Sequence, residues 1–321
     1  MNLSKSMFTS IIIFSLLMTM ASNNMMFSWM AMEMNLISMM PLMKKSNKMN
    51  EQSMKYLIIQ SVSSSIMMMS MIMSLIINYP INESILMMTG IMTKMGMMPF
   101  HLWMPGLMQM MSWTVCMMMS TLQKIIPTIM ATQMTKINLM MMPMLMSMII
   151  SPITGMKQTS IKKIMAYSSI TNSPMMILSM MISKQMFFLF FIMYSMINLN
   201  LMMTFKENNT NFTNQINSQS NLMKLSMMIS TLSISGMPPT TGFLMKWMMI
   251  KSLMSLTLTM TISMIISSIL STFMYLNMVL PTMTNSMKLK FKKNKNPKIL
   301  MATTILINLM GIPLMMLTKI N

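Results

Sequence analysis

Long apolar runs, interrupted mainly by Ser, Thr and Asn and separated by short polar or lysine-bearing connections, recur along the chain from beginning to end. About 20 residues are needed to cross a bilayer as a helix. On that measure the pattern predicts crossings near 6–22, 25–43, 56–78, 84–110, 112–132, 137–156, 161–182, 185–205, 222–250, 254–280 and 299–317. The runs are helix-length, whereas membrane barrels alternate apolar and polar residues in segments of about 10. Lipid tolerates only those two solutions, because every backbone polar group must be satisfied internally. The expected fold is therefore all-α, a polytopic membrane protein of about eleven transmembrane helices. The first apolar run, Met7 to Met20 behind Lys5, has the outline of a signal sequence but no small-residue cleavage site, and many crossings follow it; it reads as the first helix. No Arg-rich transit peptide is present.

Two crossings are interrupted. The fourth contains MGMMPFHLWMPG (95–106) and the ninth SGMPPTTGF (235–243), and a proline inside a helix removes a backbone bond and kinks or breaks it. In transporters a corresponding pair of Gly/Pro-broken spans points to the transport site and to an inverted repeat. The two spans are an odd number of crossings apart and run in opposite directions, as inversion demands. Lys94 precedes its break while Lys246 follows its own, so the residues alone do not establish a repeat.

Charge tests the span count. With alternating connections, one face collects the lysines at 5, 44–55, 157–163, 206–224 and 288–298, sixteen in all, and the other only Lys136, Lys184, Lys251 and Lys319. An error of one span would scatter these clusters across both faces. Positive loops mark the inner side, which places the N-terminus inside and the C-terminus outside. The net charge of +19 thus reads as a topology signal with an affinity for anionic lipid headgroups, cardiolipin among them, and not as a nucleic-acid footprint, since no aromatic-interleaved basic platform or zinc spacing accompanies it. The polar connection 206–221 carries no catalytic grouping, and no P-loop or dinucleotide fingerprint occurs anywhere.

Composition narrows the classes further. Only 8% of residues are charged, against 54% hydrophobic, with a mean hydropathy of +0.59, far from the roughly 25% charged of soluble domains. The single Cys116 excludes an intrachain disulfide and a four-cysteine iron–sulfur site; it reads as a buried structural thiol. Methionine occupies 69 positions and arginine none. A copper carrier would concentrate thioethers at particular depths, whereas these are spread evenly. An AT-rich genome that reads AUA as methionine, as in many animal mitochondria, accounts for the excess.

Against this background four ionisable residues fall within spans: Glu33, Lys94, Lys124 and Lys246. A charge at the bilayer centre costs roughly 2.5–3.5 kcal/mol, which makes each a functional candidate by default. Desolvation penalises the charged form of a buried amine, so such a group can trade protons with water or an acid. The alternative for each lysine is snorkelling to the interface, strongest for Lys246, which lies nearer a span end beside Trp247. Glu33, one of only four carboxylates, needs a partner from another span, and Lys94 is the expected one; otherwise it is a neutral carboxyl in a helix contact. His101 reads either as a proton donor between half-channels or as a structural partner for carbonyls freed by Pro99. Gln60, Ser61, Ser63, Ser64, Ser65, Ser168, Ser169, Thr171, Asn172, Asn198 and Asn200 either line a hydrated path or pack helices.

Several segments resemble subunit 2 of mitochondrial NADH:ubiquinone oxidoreductase (respiratory complex I), a family related to cation/proton antiporters. They are MEMN (32–35), LISMMPLMKKS (36–46), TKMGMMPFHLWMP (93–105), LQKIIP (122–127), QTSIKKIMAYSSIT (158–171) and SGMPPTTGFLMKW (235–247), in family order over most of the chain. The resemblance implies an animal version that lacks the family's first three helices. It implies a proton-translocating role in which Glu33 and Lys94 pair in one half-channel, Lys124 connects, and Lys246 ends the second. One membrane domain is expected over 1–321, with half-channel regions at 25–132 and 137–280 and a basic loop and last helix at 281–321. It further implies that NADH, flavin, iron–sulfur clusters and ubiquinone bind other subunits, that no cofactor or metal binds here, and that the partners are neighbouring antiporter-like subunits and lipids in the mitochondrial inner membrane. After AYSSIT the family continues His-Met-Gly-Trp, whereas this chain has Asn172, Ser173, Pro174 and Met175; Ser235 stands for an expected glycine and Met245 for a proline. Two other readings stay open: a free cation/proton antiporter, and a structural spacer that keeps ancestral lysines without conducting.

Overall fold

The computed structural model describes residues 3–22, 24–43, 47–76, 80–134, 137–218, 221–238, 240–254 and 257–284, together with Thr304 and Asn308. The expected last span at 299–317, apart from those two residues, and the basic cluster at 288–298 lie outside them, as do Lys44, Lys45, Lys136 and Lys319. The described residues form thirteen α-helices: α1 Leu3–Ala21, α2 Met25–Met43, α3 Asn47–Ile76, α4 Pro80–Met95, α5 Trp103–Met110, α6 Trp113–Ser120, α7 Leu122–Met134, α8 Ile137–Met156, α9 Ile161–Ile182, α10 Lys184–Glu207, α11 Asn221–Ser235, α12 Thr241–Leu253 and α13 Leu258–Thr284. Four stretches among the described residues, Glu51–Ser74, Leu139–Met156, Lys184–Glu207 and Leu258–Leu280, are long and apolar enough to cross a membrane unaided, and Lys5–Ala21 and Ile85–Met95 are shorter apolar helices.

The chain divides into two compact units, Met1–Ser147 and Met148–Asn321, and the division falls within α8. In the first unit α1 packs on α2 and α3 on α4, while α7 touches α1, α2 and α4. In the second, α10 packs on α9, α11 and α12, and α13 on α9, α11 and α12.

Both anticipated interruptions are present, and the structure adds a third. The segment expected as one span at 84–110 falls into α4 and α5, and that expected at 222–250 into α11 and α12. The segment 112–132, expected to be continuous, bends at Thr121 (φ −116°, ψ −81°) between α6 and α7. There both the Thr121 hydroxyl, at 2.7 Å, and its backbone N–H, at 3.2 Å, donate to the Met117 carbonyl, a local competition that bends helices. Pro127 within α7 removes one more backbone donor.

Hydroxyl groups are handled within their own helices. Ser168, Ser169, Thr171, Ser173 and Ser179 of α9 each donate to the carbonyl three residues back at 2.7–2.8 Å. Ser63 and Ser64 of α3 do the same. In a medium without water an unpaired hydroxyl costs several kcal/mol, so these side chains behave as small packing residues with their protons already committed.

Glycine sets the closest approaches. A Cβ on Gly90 of α4 would meet the Met67 side chain and the Ser63 carbonyl of α3, and one on Gly242 of α12 would land on the backbone carbonyl of Ser233 of α11. A Cβ on Gly106 meets nothing within 4 Å. Gly242→Ala is therefore expected to cut sharply the amount of folded protein recovered from membranes, while Gly106→Ala leaves it unchanged. Equal recovery of the two variants would contradict this packing.

Candidate functional site

The two breaks are built alike. In each, the first half-helix ends on a glycine with positive φ, Gly96 at 65° and Gly236 at 84°, a conformation glycine adopts without steric penalty. Gly96 N–H donates to the Thr93 carbonyl at 3.3 Å and Met97 N–H to Met92 at 3.0 Å; Gly236 N–H donates to Ser233 at 3.1 Å and Met237 N–H to Leu232 at 3.2 Å. This is the Schellman arrangement at both places. It leaves the last helical carbonyl, that of Met95 or Ser235, at the negative end of a helix dipole.

A buried lysine closes each of these ends. Lys124 Nζ donates to the Met95 carbonyl at 2.5 Å, and Lys246 Nζ donates to the Ser235 carbonyl at 2.6 Å. Lys94, Lys124 and Lys246 are 9, 3 and 7% exposed, so none of them snorkels out of its unit. The equivalent lysines of the two breaks are accordingly Lys124 and Lys246. Sequence order hid this, because Lys124 reaches back 29 residues, from a different helix, to its carbonyl.

In the first unit the lysines line a cavity with Asn35, Tyr56, Gln60, Trp103 and Gln123, whose other walls are mainly methionine. Water centres can occupy about 30 Å³ of it, room for about two waters at 10–15 Å³ each. Gln123 Nε2 donates to Asn35 Oδ1 at 2.7 Å, and Tyr56 OH donates to Gln123 Oε1 at 3.4 Å. Gln60 Nε2 donates to the Lys94 carbonyl at 3.4 Å, and Trp103 Nε1 to that of Thr93 at 3.0 Å. Two sulfurs face the ammonium groups, Met32 Sδ at 3.6 Å from Lys94 and Met104 Sδ at 3.7 Å from Lys124.

The face of α2 that meets this cavity is Met32, Asn35 and Leu36, spaced i, i+3, i+4 as one helical stripe. Glu33 sits one position off that stripe. Its charge acts on Lys94, yet among the described residues no ion pair within 4.0 Å joins the two, and Glu33 Oε1 is buried without a hydrogen bond. His101 is half-buried and does not line the cavity; its Nδ1 lies 3.3 Å from the Pro99 carbonyl oxygen. Of the hydroxyl and amide residues expected along a wet path, Gln60 alone lines this cavity.

In the second unit Lys246 also donates to Ser271 Oγ of α13 at 3.0 Å. Its aliphatic stem lies over Gly236, where a Cβ would come within 2.9 Å of Cδ. Ser271 and Tyr275 share a face of α13, one turn apart. Tyr275 and Tyr194 are buried, and Asn198 Nδ2 donates to the Tyr194 hydroxyl at 3.3 Å. Sequence reading missed Asn35, Tyr56, Gln123, Ser271, Tyr194 and Tyr275. A polar side chain adjoining a buried lysine, as Gln123 adjoins Lys124, was the available signal; Ser271 offered none.

Comparison with known proteins places this arrangement. The family model described as NADH:quinone oxidoreductase/Mrp antiporter, transmembrane, matches residues 78–274, which contain both breaks and all three lysines. The chain belongs to the NADH:quinone oxidoreductase/Mrp antiporter family. Among this family's curated members, NADH-ubiquinone oxidoreductase chain 2 of Locusta migratoria is 36% identical over 80% of this chain and 79% of its own length. That of Anopheles gambiae is 34% identical over 78% and 77%. A chain of respiratory complex I from Thermus thermophilus with bound aureothin shares the family's fold with a TM-score of 0.85, covering 99% of this chain and 79% of that one at 15% identity.

The Lys246–Ser271 bond is testable within this family geometry. Ser271→Ala leaves a buried amine one partner short, a loss of about 1–3 kcal/mol. The thermal midpoint of the detergent-solubilised protein is expected to fall by several degrees, with Ser271→Thr restoring it. An unchanged midpoint for the alanine variant would show that the hydroxyl contributes nothing.

Proposed function

We propose that the chain conducts protons through its buried lysines, with the lysine-closed helix breaks as the working parts. It is a membrane-arm subunit of a proton-pumping NADH:ubiquinone oxidoreductase and a protein of the mitochondrial inner membrane; the curated relatives bear the name of that enzyme's chain 2. The observation that carries the mechanism is the pair of ammonium-to-carbonyl bonds, Lys124 to Met95 and Lys246 to Ser235. The negative end of each half-helix attracts a proton onto the amine, while desolvation repels it. An amine under two opposed influences is one whose protonation responds to a change of nearby charge.

In the proposed sequence of events, a neighbouring subunit alters the charge near Glu33, the field at Lys94 changes, and a proton moves through the polar cavity to Lys124. Lys246 serves as the terminal station of the second region, 137–280. His101 supports the break by its contact with Pro99 and is kept as a secondary candidate for proton transfer. The proposal includes eleven crossings, with α4–α5 and α11–α12 each forming one broken span, the N-terminus on the matrix side and the C-terminus in the intermembrane space. NADH, flavin, iron–sulfur clusters and ubiquinone belong, in this reading, to other subunits. A free antiporter is not favoured, since the curated relatives are named as chains of the larger enzyme.

Replacement of Lys124 tests the reading. Lys124→Met in the assembled enzyme is expected to lower proton pumping and coupled NADH oxidation by about a hundredfold, the lower end of the range for loss of a proton-transferring group. Lys124→Arg keeps the positive charge but releases no proton, and is expected to assemble without restoring pumping. Full pumping stoichiometry in an assembled methionine variant would leave the chain a spacer.

A further inference from the structure

The second unit contains another cavity, away from the lysine–carbonyl sites. It lies between α10 and α12 and measures about 100 Å³. Met186, Leu189 and Met193 from one helix and Met245, Met248 and Met249 from the other line it, and every remaining wall residue is Leu or Phe. Apolar cavities of this order, about 150 Å³ in one engineered case, stay dry and take up hydrocarbon. Leu189 and the adjoining Phe188 are 50 and 44% exposed, so the cavity lies beside an apolar outer surface of the unit.

Charge singles out one end of this groove. α10 begins at Lys184, two residues before Met186, and Lys251 of α12 follows Met249 by two. In the span order proposed above, α10 and the α11–α12 pair are consecutive crossings and run in opposite directions. Lys184 and Lys251 therefore stand at the same end of the groove. Both are exposed, and Lys251 Nζ lies 5.8 Å over the Trp247 ring, the amphipathic pairing found at a membrane–water boundary. These are two of only four lysines on the sparsely charged face. Ser183, which accepts from Met186 N–H at 3.1 Å, marks the N-terminus of α10, whose dipole adds positive potential at the same end.

We infer that this groove holds an acyl chain of an anionic phospholipid, with the headgroup phosphate between Lys184 and Lys251. The occupant is hydrocarbon because no polar side chain lines the cavity, and anionic because positive charge sits at its mouth on a face that otherwise has little. Bound there, the chain covers Met245, the neighbour of Lys246, and seals the outer side of α12 against water. The inference rests on the membrane-arm reading for its span order.

The test uses the assembled enzyme in nanodiscs doped with a phospholipid whose acyl chain carries a photoreactive diazirine, as phosphatidylglycerol or as phosphatidylcholine. Peptide mapping is expected to find label within 186–193 and 244–249, with the anionic probe favoured by about 25-fold, since each of the two lysines near the surface contributes about fivefold. In the Lys184→Gln, Lys251→Gln double variant that preference is expected to vanish while assembly persists. No label in either segment, equal labelling by the two headgroups, a preference that survives the double substitution, or cross-linking to a peptide of another subunit overturns the inference. Proton pumping recorded on the same preparation separates the two claims. Labelling lost with pumping intact removes the lipid site alone. Unaltered pumping stoichiometry in the assembled Lys124→Met variant removes the conducting role alone.

Discussion

A helix that stops in the middle of a membrane leaves carbonyls pointing at nothing, and much of this protein follows from how those carbonyls are met. Water would serve at a surface. Here a lysine serves, twice, at the Met95 and Ser235 carbonyls. Each amine and each carbonyl is a buried polar group that would lose its main partner without the other. The glycines turn the chain away so that the last carbonyl is free to accept, and Gly242 allows α12 to lie directly on the backbone of α11. The break is thus a stable structure whose stability depends on a titratable group.

That dependence explains why the site resists description as a row of charges. Glu33, Lys94 and Lys124 occupy one unit, but the contacts that hold the lysines are a carbonyl and two thioethers, not carboxylates. An ion pair locked at hydrogen-bond distance would trap its proton. Glu33, just off the cavity-facing stripe of α2, influences Lys94 by its charge with no ion pair between them among the described residues. The glutamine, asparagine and tyrosine beside them supply donors and acceptors with no net charge.

The breaks and the burial of Lys94, Lys124 and Lys246 were legible in the sequence because both rest on rare residues in an apolar background, Gly and Pro clusters and a lysine where the medium penalises one; the burial of Lys224, which reads as a loop lysine, was not. What was not legible depends on tertiary reach. The equivalence of Lys124 and Lys246 requires knowing that α7 returns to the end of α4. At Thr121 the hydroxyl and backbone N–H and the Ser120 hydroxyl all converge on the Met117 carbonyl, whereas the Thr154 hydroxyl reaches four residues back within a continuous helix; residue type alone does not distinguish the two. The serines of α9 donate to carbonyls of their own helix, a pairing that the sequence pattern does not reveal.

Methionine was set aside as a record of codon usage, and the structure gives it a physical consequence. Isoleucine at position 32 or 104 would present methyl groups to Lys94 or Lys124; the thioether presents a polarisable sulfur that accepts weakly and adapts its shape. A contact of that kind tolerates the amine in either protonation state and holds neither firmly. Lys94, resting on sulfur, and Lys246, held by two oxygens, are then unequally anchored: the first gives up one weak contact to leave its place, the second two charge-assisted hydrogen bonds. A residue type in excess along the whole chain has in this way become part of the surroundings of two buried ammonium groups.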